Sequence, residues 1–100
     1  MTSKRWDTQD KMKLMDLYSK GSSFDEIGIK LNRSSNAIKL RLQSIIYDNV
    51  VRGKSVDTLS RILNTDNDKI IQMYYAHKQF KQLRGEEVDE IDITKNTTRK

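Results

Sequence analysis

The sequence predicts an all-α protein of about five helices, and three observations carry that expectation. Proline is absent from all 100 residues, so nothing in the chain forbids helix by ring geometry. Apolar residues recur at helical rather than alternating spacing, as in Phe24, Ile27 and Leu31 or Val56, Leu59 and Leu63. Serine and aspartate stand before those runs and glycine or asparagine after them, the start and stop chemistry of helices.

The first helix is expected over 8–20. Asp7 is its N-cap, and Asp10 sits where a carboxylate meets exposed backbone amides. Lys20 and Gly21 end it. The second, over 24–31, opens on Ser23 with Glu26 three residues later, a capping box. It closes at Asn32, which tolerates positive φ. Ser34 or Ser35 caps a third helix over 35–51. A fourth runs over 56–63, from Ser55 to Asn64, and a fifth over 67–83 behind Asp66.

These elements contain an internal repeat. Gly21, Ser23, Asp25, Leu31, Asn32 and Ile38 recur as Gly53, Ser55, Asp57, Leu63, Asn64 and Ile70, an ungapped offset of 32. Each copy reads as two helices joined by a tight turn, which is a helix-turn-helix unit. The expected organisation is a first unit over 1–52, a second over 53–84 packed on it and sharing the third helix, and a disordered charged tail over 85–100. A strand or short helix around Val88, Ile91 and Ile93 is the alternative for the tail.

Composition narrows the function classes. The net charge of +5 and pI near 9.5 suit a polyanionic partner, although they also suit plain solubility. Residues 1–53 carry +4, residues 54–84 carry +3 and residues 85–100 carry −2. With no cysteine and no signal-like segment, an intracellular or virion setting is expected. His77 is the sole histidine, and no glycine-rich phosphate loop or metal-ligand cluster is present. An enzyme, a cofactor, a metal, a small-molecule substrate and a membrane partner are therefore not expected.

Trp6, Phe24 and Leu42 are spaced by 18 and 18, and Arg33-Ser34-Ser35-Asn36-Ala37-Ile38-Lys39 opens the third helix. Over roughly residues 4–50 this resembles Myb repeats and the related SANT domains, with Phe24 and Leu42 in place of two of three tryptophans. The tandem arrangement is similar to small DNA-binding proteins of large nucleocytoplasmic DNA viruses, which would imply a nucleus, viral factory or virion. The resemblance implies that the helix from Ser35 enters the major groove of duplex DNA. Base contacts would fall to Lys39, Leu40 and Gln43, with Asn36 and Ser44 nearby. Leu40 departs from the family's asparagine, so the target sequence is not transferable.

Read on their own chemistry, Ser34 and Ser35 suit a phosphate at the helix start, and Tyr47 lies on the same side as Lys39 and Gln43. Lys4, Arg5, Arg33 and Arg41 are expected to clamp the DNA backbone. Trp6, Leu14, Phe24, Ile27, Leu31, Ile38 and Leu42 are the expected core of the first unit. The fifth helix is apolar on more than one side. Met73, Tyr74, Tyr75 and Phe80 either pack across the first and third helices or form a homodimer interface. Two functions stay open: a duplex-DNA binder, as small regulator or genome organiser, and a SANT-like protein-interaction or dimerisation module.

Overall fold

The computed structural model of the chain describes residues 6–86. Lys4, Arg5 and the tail beyond Glu86 lie outside the described residues. Five helices follow one another: α1 (Thr8–Ser19), α2 (Phe24–Leu31), α3 (Ser35–Val51), α4 (Val56–Leu63) and α5 (Asn67–Leu83). Among the described residues there is no strand.

The local chemistry explains each boundary. Asp7, Ser23, Ser34, Ser55 and Asp66 each accept a hydrogen bond from the amide three residues ahead. At α2 the bond is reciprocated: the Glu26 amide donates to Ser23 Oγ at 3.1 Å, and the Ser23 amide donates to Glu26 Oε1 at 2.9 Å. Asn32 and Asn64 end α2 and α4 in the left-handed conformation, at φ +59° and +56°.

The repeat is written into the packing as well as the caps. Leu14, Ile27, Ile38 and Leu42 are wholly buried in the first unit. Their counterparts 32 residues on are Ile46, Leu59, Ile70 and Tyr74, which are wholly buried too. The first helix of the second copy therefore coincides with the C-terminal half of α3. All eight belong to one continuous core, on which Trp6, Phe24 and Leu31 pack from the edge.

Two close approaches hold this arrangement. Gly28 lies inside α2, where an added Cβ would stand 2.5 Å from the Arg33 carbonyl oxygen. Only glycine lets the turn into α3 cross α2 that tightly. Further along, α5 packs closely on α3, and the Tyr47 and Tyr74 rings stack at 5.3 Å between centroids. Lys39 and Gln43 share a groove with Lys69, Gln72 and Met73, while Tyr47 meets Tyr74 and His77 farther on. The two long helices thus run side by side in the same direction.

Tyr74 is a core residue of the chain itself, which removes it from the expected dimer interface. Met73 is partly buried against the same core. Tyr75 and Phe80 remain exposed, by 43% and 41%. The apolar surplus of α5 has two destinations, because one side meets α3 and the other meets solvent.

His77 lies in this contact, with Tyr47 on one side and Phe80 on the other. Partial burial lowers its pKa from 6.5, and Lys81 adds to the shift, with a smaller push from Arg41. Asp48 and Glu86 oppose it. The unfolded chain therefore binds a proton at higher pH than the folded one. The contribution of His77 to stability is complete above pH 6.5 and is lost as the pH drops through the lowered value. Urea unfolding of the native chain should show that loss below pH 6.5, and His77→Gln should flatten it. An unchanged pH profile in the variant would assign the effect to other groups.

Candidate nucleic-acid interface

The exposed start of α3 is built by the turn that precedes it. Ser34 caps the helix through Oγ, which accepts from the Ala37 amide at 3.0 Å. The amides of Ser35 and Asn36 lie ahead of the intrahelical ladder, at the positive end of the helix dipole. Asn36, Lys39 and Leu40 are exposed there, and Ser35 is half-buried. One groove beside them is lined by Ser23, Phe24, Asp25, Ser35, Asn36 and Lys39. On its other side Lys39 faces Lys69 and Gln72 across the groove between α3 and α5. Asp25 sets the α2 edge of the surface, so an anion is received best from the side of the two lysines.

Several residues expected at this surface are elsewhere. Gln43 and Tyr47 were expected on the exposed side of α3 with Lys39. They are buried, at 9% and 5% exposure, because α5 lies along the stripe that they share. Neither can reach a base edge while α5 is in place. Ser44 is half-buried and follows Leu40 on the side of α3 away from α5.

Arg33 and Arg41 also serve a different purpose from phosphate clamping. The Arg33 guanidinium stands 4.0 Å from the Trp6 ring centre, and Arg41 stands 5.2 Å from the same ring. Arg33 Nη2 also donates to Asp10 Oδ2 at 3.2 Å, and the two side chains keep only 9% and 13% of their exposure. Asp10 thus serves a cation 23 residues away. Trp6, Asp10, Arg33 and Arg41 form a stacked cluster that ties α1 to the start of α3. Burial leaves the Arg33 charge little access to DNA.

The second unit offers a less suitable helix start. Asp66 caps α5, with its carboxylate accepting from the Lys69 amide at 3.0 Å, and Asp68 is exposed one turn in. A phosphate approaching that end meets two negative charges. Asn67 is occupied, since its Nδ2 donates to Asp57 Oδ1 at 2.6 Å. What α5 adds to the interface is Lys69 and Gln72, beside Lys39.

Among the described residues no group of three or more histidine, cysteine, aspartate or glutamate side chains could hold a metal ion, and no helix is long and apolar enough to cross a membrane. Comparison with known proteins found no family model, curated protein or solved structure that matches this chain.

The arginine cluster makes a prediction about stability. Asp10→Ala leaves a largely buried guanidinium without its carboxylate, and should cost roughly 3 kcal/mol in urea unfolding. Asp10→Ala with Arg33→Met should cost clearly less, because both charges are gone. A loss in the double variant equal to the sum of the separate Asp10→Ala and Arg33→Met losses would show that the pair is not coupled.

Proposed function

We propose that this protein binds double-stranded DNA through the first two turns of α3, and that it does so with little sequence selectivity. The observation that carries the reading is which part of α3 is left open. Asn36, Lys39 and Leu40 are exposed at its start, whereas α5 covers Gln43 and Tyr47 beyond them.

Physical dimensions turn that coverage into a mode of binding. A helix with its side chains is about 10–12 Å across. The major groove is about 12 Å wide and admits one helix. Two helices in side-by-side contact do not fit together, so α3 enters by its N-terminal end. The residues that then reach base edges are few. Lys39 suits guanine acceptors, Asn36 suits adenine, and Leu40 suits a thymine methyl. Lys69 lies beside Lys39 and suits the phosphates that flank the groove.

So shallow an insertion gives phosphate contacts the larger share of the affinity. This favours a protein that covers or organises DNA over a selective regulator. It also supports duplex binding over a SANT-like protein-interaction role, since the open surface pairs two lysines with the positive end of a helix.

Titration with a random-sequence duplex tests the reading. Affinity should fall steeply with salt, with a log–log slope of about −0.9 for each phosphate neutralised. Lys39→Ala should weaken binding to all sequences, reduce that slope by about 1 and leave the unfolding midpoint unchanged. No binding at low salt would refute the proposal. Strong enrichment of one long motif from the random pool would refute the low selectivity.

A further inference from the structure

The groove between α3 and α5 holds a polar side chain that the fold itself does not use. Gln43 keeps only 9% of its exposure, and among the described residues its amide has no hydrogen-bond partner. An amide with so little access to water and no partner is costly, and native chains seldom keep one without a second use for it. The Gln43 side chain lines the groove, so the donor and acceptor of its amide are available there. An apolar residue in its place would pack on α5 without that cost.

The rest of the groove gives that amide a chemical setting. Its volume is about 320 Å³, near the lower bound of the ~300–1,000 Å³ typical of small-ligand sites. Ala76 leaves the space, since a single methyl lines the groove where a longer side chain would fill it. Tyr18 and Phe24 form one wall, with their rings stacked at 5.9 Å between centres and 16° from parallel. Met73 lines the α5 side. Lys39 and Lys69 are exposed members of the lining, and neither pairs with a carboxylate among the described residues. No carboxylate lines the groove.

We propose that this groove binds an unpaired purine nucleotide. The base enters against Tyr18, Phe24 and Met73, its edge meets the Gln43 amide, and its phosphate meets Lys39 and Lys69. Each feature of the groove selects one feature of that ligand. A primary amide, with donor and acceptor side by side, matches the N6 and N7 edge of adenine. Aromatic and thioether groups favour a flat ring. Two ammonium groups unopposed by a carboxylate favour a phosphate.

A duplex cannot use this site. Its bases are stacked and paired inside a body wider than the gap between two packed helices, so Gln43 stays out of their reach. An unpaired base is a single flat ring system and enters edge first. The ligand is therefore a free nucleotide or an unpaired base of a single strand, and the same groups hold either one. The site gives the chain a second ligand and does not depend on the proposed duplex binding.

NMR titration of the full chain with adenosine monophosphate, in the absence of duplex, tests this. The Gln43 side-chain amide and the Met73 and Ala76 methyl groups should shift and saturate. Gln43→Leu should weaken binding about tenfold or more. Ala76→Leu should fill the groove and abolish binding, and an intact Tyr47–Tyr74 contact serves as the folding control for both variants. Saturation by the mononucleotide assigns the site to free nucleotides, and saturation only by a short single-stranded oligodeoxyadenylate assigns it to unpaired bases of a strand. Equal shifts with ribose 5-phosphate, which lacks the base, would overturn the proposal. So would unchanged affinity in folded Gln43→Leu, or no shift at these groups with either ligand.

Discussion

Helix α3 is buried along two faces by different partners, and the placement of every other element follows from that division. Ile38 and Leu42 lie in the core of the first unit, against α1 and α2. Ile46, Tyr47 and Val50 are buried with the second unit, whose long helix α5 runs beside them. A helix of 17 residues offers too little perimeter for two cores and a full reading face. The surface left at its start holds Asn36, Lys39 and Leu40, with Lys69 of α5 beside Lys39, and near its end only Asp48, Val51 and the edges of half-buried residues stay open. The fold therefore limits what α3 can present to a partner, independently of which residues stand on it.

The joint between the units is made by aromatic and cationic groups rather than by aliphatic packing alone. Tyr47 and Tyr74 stack at the centre of the α3–α5 contact, with His77 tilted against Tyr47. Lys81 lies 5.4 Å from the Tyr47 ring centre. At the opposite side of α3, Trp6 receives Arg33 and Arg41. Both places use cations to cover aromatic rings, so a substantial part of the positive charge on this chain is structural. Net charge alone therefore overstates how many cations are available to a polyanion, and Lys39 and Lys69 carry more of the proposed interface than their number suggests.

Elements set by neighbouring residues were legible in the sequence. The caps at Ser23, Ser34 and Ser55 and the left-handed Asn32 and Asn64 act within a few residues of themselves, and the helix bounds follow from them. Contacts between distant segments were less so. Gln43 and Tyr47 look like a polar stripe for solvent or DNA until α5 is placed upon them. Arg33 looks like a phosphate clamp because nothing local reveals Asp10, 23 positions earlier. The breadth of the apolar surface on α5 did signal a further partner, with the third helix among the expected receivers, and α5 does pack on α3. Gly28 gave no signal apart from its place inside a helix, where glycine costs about 1 kcal/mol relative to alanine. The close passage of the Arg33 carbonyl explains why it is there.

The proposed binding mode requires that α5 stay in place while the start of α3 meets duplex DNA. Amide and side-chain NMR shifts recorded while a short duplex is added test it most directly. Perturbations should concentrate at Ser35, Asn36, Lys39, Leu40, Lys69 and Gln72. The side chains of Gln43 and Tyr47 should stay in their unbound environment. Large shifts at Gln43 and Tyr47, with loss of the Tyr47–Tyr74 contact, would mean that α5 moves aside and that α3 reads DNA along its length. That result would refute the proposed mode of binding.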